Sequence, residues 1–219
     1  MGSTLELTAA DGHRLGGYLA EPTGRARGGL VVIQEIFGVT RHIRAVADQY
    51  AAAGYLALAP ALFDRVERGV DLPYTNGPRG RDYVKALAGD AVMLDLAAAV
   101  DRVRPAGKAA VVGYCWGGLQ AYLAAAALTI DAAIAYYGGG IERHLERTPK
   151  APVLFHFGER DAHVPLSAVA LIRAACPQGT YYLYPAEHGF NCTDRPSHEP
   201  DSAKLALQRS LDFLGRHVG

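Results

Sequence analysis

The sequence predicts an α/β fold, a mostly parallel, doubly wound sheet with helices on both faces, built as one domain over residues 1–219. Three observations lead there. The run Leu30-Val31-Val32-Ile33 is apolar without interruption, as a strand covered on both faces must be. Short apolar runs of this kind alternate along the chain with segments of helical spacing, the pattern of repeated βαβ units. Half of the 219 residues are hydrophobic, enough to bury a sizeable core, and no repeat, low-complexity tract or interdomain linker interrupts them.

The elements follow in order. Residues 4–8 and 15–20 alternate apolar and polar side chains around Asp11-Gly12, which predicts an antiparallel hairpin opening the sheet. The segment 28–38 holds the buried strand, expected at the centre. Ile43, Val46, Ala47 and Tyr50 then repeat at helical spacing up to Gly54, and residues 55–59 return as a strand stopped by Pro60. Residues 60–80, with Pro73 and Asn76-Gly77-Pro78, read as a long surface loop bordering a binding site, and a helix is expected over 82–104. Strands are expected at 109–113, 132–136, 153–158 and 181–184, with helices at 116–128 and 166–175 between them. A last helix, 202–217, sets Ala203, Leu207, Leu211 and Leu214 on one stripe toward the sheet.

Composition narrows the function. Lysine plus arginine equals aspartate plus glutamate at 22 each, so no long-range field gathers nucleic acid or an anionic membrane. The longest apolar stretch, around residues 123–134, is alanine-rich and ends at Asp131, short of a membrane span. Cys115, Cys176 and Cys192 form no CxxC pair and leave at least one thiol free, and the first residues are polar and mixed. A soluble, cytoplasmic protein is expected, a monomer or small homo-oligomer, with no nucleic-acid or membrane partner. No metal-ligand spacing is visible, and no metal or organic cofactor is needed.

The chemistry concentrates at Gly113-Tyr114-Cys115-Trp116-Gly117, a nucleophile between two glycines where a buried strand meets a helix. This is the nucleophile-elbow pattern with cysteine for serine. The backbone N–H of Trp116 would point at a developing oxyanion, and the helix N-terminus favours thiolate. The duller reading is a small buried hydrophobe in an ordinary turn. Of eight histidines, His188 in Glu187-His188-Gly189-Phe190 follows the last strand, where this arrangement needs its base. His42 and His217 read as solvated helix residues and His156 as a core residue, while His163 is the rival. Asp161, in Gly158-Glu159-Arg160-Asp161, ends the preceding strand and is the candidate acid that orients the base.

With these residues assembled, the chain resembles the dienelactone hydrolase (carboxymethylenebutenolidase) family, of α/β-hydrolase fold, along nearly its whole length. The resemblance rests on Gln34-Glu35-Ile36-Phe37-Gly38, the elbow, Tyr136-Tyr137-Gly138, Phe155-His156-Phe157-Gly158 with Asp161 and Pro165, and His188-Gly189-Phe190. It implies hydrolysis of a small lactone or ester through a Cys115–His188–Asp161 triad and a thioester acyl-enzyme. It implies further that Glu35 contacts the resting thiol and takes its proton when substrate arrives, and that Ile36 supplies the second oxyanion N–H. Glu35 could instead be no more than half of a buried salt bridge. The mouth of the site is expected to involve Phe37, Arg79, Tyr83 and Tyr137, with Arg81 able to exchange roles with Arg79. Where the family carries a second substrate-binding arginine this chain has Cys192; Arg195 compensates or is an exposed loop charge. A general carboxylesterase or thioesterase, and an inactive hydrolase-fold binding protein, are the competing readings.

Overall fold

The computed structural model describes residues 2–219. Strands β1 (Ser3–Thr8) and β2 (Arg14–Ala20) form the antiparallel hairpin at one edge of the sheet. The other six strands, β3 (Gly28–Ile33), β4 (Tyr55–Pro60), β5 (Ala109–Tyr114), β6 (Ala132–Tyr136), β7 (Val153–Gly158) and β8 (Thr180–Tyr184), run parallel to one another. Their order is β1-β2-β4-β3-β5-β6-β7-β8. Every residue of β3 is buried, which is why its sequence is apolar throughout rather than alternating.

Helices α1 (Arg41–Ala52) and α6 (Pro200–His217) cover one face. Helices α3 (Gly89–Val103), α4 (Trp116–Ala127) and α5 (Leu166–Ala175) cover the other. Each central strand feeds both layers: Val31, Ile33 and Val111 point into the core under α3 and α4, and Leu30, Val32 and Val112 into the core under α1 and α6. From β3 the chain moves outward to β4, then returns to place β5 on β3's other side. That reversal opens a crevice at the carboxyl ends of β3 and β5, where ligands of doubly wound sheets bind. Among the described residues, no helix is long and apolar enough to cross a membrane.

Four expectations need correction. The helix expected over 82–104 is two: α2 (Gly77–Ala86) starts earlier, and Leu87 and Ala88 adopt extended backbone before α3 begins. The segment 60–80 is not a surface loop throughout, because a 3-10 turn at Leu62–Arg65 buries Leu62 and Phe63. Arg65 ties that turn to α3 through a two-bonded ion pair with the buried Asp95, at 2.7 and 2.8 Å. The inward stripe of α6 is Ser202, Ala206, Ser210, Phe213 and Leu214, with Leu207 and Leu211 on its flank. A polarity count cannot place Ser210 inside. It is inside because its Oγ meets Tyr136 OH at 2.7 Å and His156 Nε2 at 3.0 Å. His42, expected at a solvated surface, is buried edge-on to Tyr114, and burial pushes its pKa down to about 4.

Candidate active site

Cys115 sits in the turn between β5 and α4 with φ 56° and ψ −118°, a conformation L side chains rarely adopt. The two glycines of the motif make the turn possible. A Cβ on Gly113 would lie 1.8 Å from the Gly117 carbonyl oxygen, and one on Gly117 would lie 2.5 Å from the carbonyl oxygens of Ile33 and Gln34. Strain of this kind persists only where the surroundings hold it, and here it lifts the thiol over the crevice.

A cavity of about 640 Å³ opens above Cys115, and His188 stands in its wall. His188 Nδ1 lies 2.8 Å from Asp161 Oδ2, so the imidazole donates there and keeps Nε2 as the basic nitrogen. Asp161 is itself fixed: its Oδ1 accepts the N–H groups of His163 at 2.7 Å and Val164 at 3.0 Å. Burial alone would raise the Asp161 pKa, but the bond and charge of His188 with these two N–H groups outweigh it, and the net shift is downward. Burial pulls His188 down despite Asp161, which leaves a neutral imidazole ready to accept a proton.

The thiol does not follow the helix-terminus expectation. Burial, and then the charge of Glu35, push Cys115 up to about 12 against the pull of the Trp116 N–H, so the resting group is a thiol. Among the described residues it makes no hydrogen bond to His188 or Glu35. Glu35, at 1% exposure, is held instead by Arg195, whose Nη1 is 3.4 Å from Oε1. Burial raises the Glu35 pKa to about 7 even with Arg195 and Tyr74 opposing it. Next in the chain, the Ile36 N–H donates to no group among the described residues. Helix α2 presses on this loop so closely that a Cβ on Gly80 would lie 2.1 Å from the Ile36 carbonyl oxygen.

Of the residues expected at the mouth, Phe37 and Arg81 line the cavity. Arg79 and Tyr83 do not: Arg79 pairs with Glu67 at 3.2 Å and lies over the Tyr83 ring, whose hydroxyl also bonds Glu67, at 2.5 Å. The reason is helical geometry, since residues two apart face roughly 200° away from each other and Tyr83 returns to the side of Arg79. A helix expected to begin at residue 82 leaves both arginines outside it, so the distinction is not legible in the sequence. Tyr137 is fully buried beneath His188, its ring edge-on at 5.0 Å, and does not reach the cavity.

Of the other cavity residues, Tyr74 carries little sequence signal, while His163, the rival base, and Arg195, the candidate compensating arginine, both line the cavity. Tyr74, against Phe37 at 4.6 Å with its hydroxyl 3.1 Å from Thr40 Oγ1, belongs to no motif. His163 faces His188 at 4.8 Å between rings. Arg195 had a mark three residues before Cys192: Gly189 has φ 79°, and a Cβ there would lie 2.3 Å from Arg195 Nη1. The glycine after His188 makes room for the guanidinium.

The family model described as the dienelactone hydrolase family matches residues 15–218. A carboxymethylenebutenolidase of Pseudomonas putida is 35% identical, the match covering 96% of this chain and 94% of that protein. Carboxymethylenebutenolidase 1 of Cupriavidus pinatubonensis is 32% identical over 96% of this chain and 95% of its own. Among solved structures, one from Klebsiella pneumoniae subsp. pneumoniae proposed as a dienelactone hydrolase superposes with a TM-score of 0.85 at 28% identity, covering 98% of this chain and 100% of that one.

Proposed function

Because the chain belongs to the dienelactone hydrolase family and is a hydrolase of ester or lactone bonds, we propose that it opens small carboxylated lactones through a Cys115 thioester. The observation that carries this reading is the strained Cys115 elbow sharing one cavity with the Asp161-bonded His188. Arg81 and Arg195, two guanidinium groups at the same cavity, suit a substrate carboxylate.

On this reading a bound carboxylate draws Arg195 away from Glu35, whose carboxylate then takes the Cys115 proton. The thiolate attacks the carbonyl carbon, and the oxyanion is met by the N–H groups of Ile36 and Trp116, each such donor contributing about 3 kcal/mol to the transition state. The carbon–oxygen bond breaks, the leaving oxygen receives the proton held by Glu35, and an acyl thioester remains. His188 then removes a proton from water, which attacks the thioester; the thiolate departs and is reprotonated by the imidazolium. A lactone leaves as one hydroxy acid, because its leaving oxygen stays tethered to the acyl group.

The substrate class is tested by Arg195→Met. Loss of one charge-assisted contact is expected to lower kcat/KM for a carboxylated lactone about 10- to 100-fold relative to its effect on an uncharged aryl ester. An equal fall on both substrates would favour a general esterase acting on uncharged acyl groups.

A further inference from the structure

Among the described residues, two side-chain oxygens near Cys115 are buried and have no hydrogen-bond partner, Glu35 Oε2 and the Tyr137 hydroxyl. Their chemistry is complementary, since an ionised carboxylate only accepts and a phenol donates. Buried polar atoms are nearly always satisfied, so an unpaired acceptor and an unpaired donor in one site call for a second arrangement that pairs them.

Tyr137 is also strained. It directly follows β6 with φ 38°, a left-handed conformation costly for any residue with a Cβ. The strain brings its ring under His188 at 5.0 Å, against Phe190 at 5.4 Å and Tyr114 at 6.2 Å. The ionisable groups whose charges bear on its hydroxyl are Glu35, Cys192, Cys115 and Arg195, with Glu35 the strongest. Those around Glu35 are Arg195 and Tyr74, with the thiols of Cys115 and Cys192, both of which feel its charge.

We infer that Tyr137 is a positioning residue that takes over the Glu35 carboxylate when a substrate carboxylate draws Arg195 away. The inference rests on the reading of Glu35 as the acceptor of the Cys115 proton. A buried carboxylate stripped of its cation and left with Tyr74 alone is driven toward holding its own proton, which weakens it as a base. A hydrogen bond from the Tyr137 hydroxyl to Oε2 keeps it ionised at that moment. The phenol gives up no proton, being held protonated by burial; the one proton transferred goes from Cys115 Sγ to Glu35.

The test is the rate of single-turnover acylation by a carboxylated lactone across pH, for the wild type, Tyr137→Phe and Glu35→Gln. Measured at saturating substrate, the rate reports the bound state; at substrate far below saturation it reports the free enzyme. Glu35 in the free enzyme titrates at about 7, so the low-concentration rate is expected to rise through that pH in both the wild type and Tyr137→Phe. At saturation, Tyr137→Phe is expected to move the rise upward by about 1 pH unit, the size of a hydrogen bond to a charged group. Its thermal stability should not fall, because the hydroxyl removed has no partner in the resting protein. An unchanged saturating profile for Tyr137→Phe, with the rise abolished in Glu35→Gln, overturns the role of Tyr137 and leaves Glu35 as the base. A rise that survives in Glu35→Gln overturns both. Equal shifts at both concentrations, or a loss of stability, mean the hydroxyl acts in the resting structure, which also overturns it.

Discussion

Cys115→Ala is expected to lower turnover of every ester and lactone the protein accepts by on the order of 10⁶-fold, as removal of a triad nucleophile does. The effect is this large because neither of the other two cysteines can stand in. Cys176 and Cys192 are fully buried, and Cys192 is pushed up to about 11 by burial and by Glu35, so it too rests as a thiol. What remains in the variant is a cavity with oxyanion donors and cations, able to bind and weakly polarise a carbonyl. Steady-state kinetics on a panel of aryl esters and lactones measures the fall. A variant retaining more than about a tenth of wild-type turnover would make the protein a hydrolase by another nucleophile.

Asp161→Asn is expected to lower turnover about 10⁴-fold with little change in fold, and the hydrogen-bond pattern says why. Oδ1 accepts two backbone N–H groups, from His163 and Val164. In the asparagine variant the amide oxygen must keep that place, which turns the NH₂ toward His188 Nδ1. The imidazole can then only accept at Nδ1, so its proton moves to Nε2 and the basic nitrogen is lost. Kinetics together with a thermal melt separates this from unfolding: a large fall in rate beside an unchanged melt is the expected pair. A variant within about tenfold of wild type would show that Asp161 does not set the tautomer.

Much of this site is legible in the sequence because it is local or ordered along the chain. Gly113 follows from a backbone collision within the turn and Gly117 from the end of the neighbouring strand β3, and Asp161 and His188 follow from which strand each loop leaves. The apolar β3 announces a strand covered on both sides. The residues that escaped depend on rotation or on distance across the fold. Arg79 and Arg81 differ only by which side of α2 they occupy, and that is fixed by where α2 begins. Ser210 faces the core through partners on β6 and β7, a pairing no polarity pattern encodes. Arg195, for which the sequence leaves compensation for the missing arginine and an exposed loop charge both open, reaches Glu35 across 160 residues of sequence past the left-handed Gly189.

The central claim is a division of labour in which Glu35 starts acylation at Cys115 and His188 completes hydrolysis. His188→Ala separates the two steps. After brief mixing with a carboxylated lactone, mass spectrometry of this variant is predicted to find one acyl group on the peptide carrying Cys115, persisting because nothing activates water against the thioester. No adduct, or one on Cys176 or Cys192, would contradict the account.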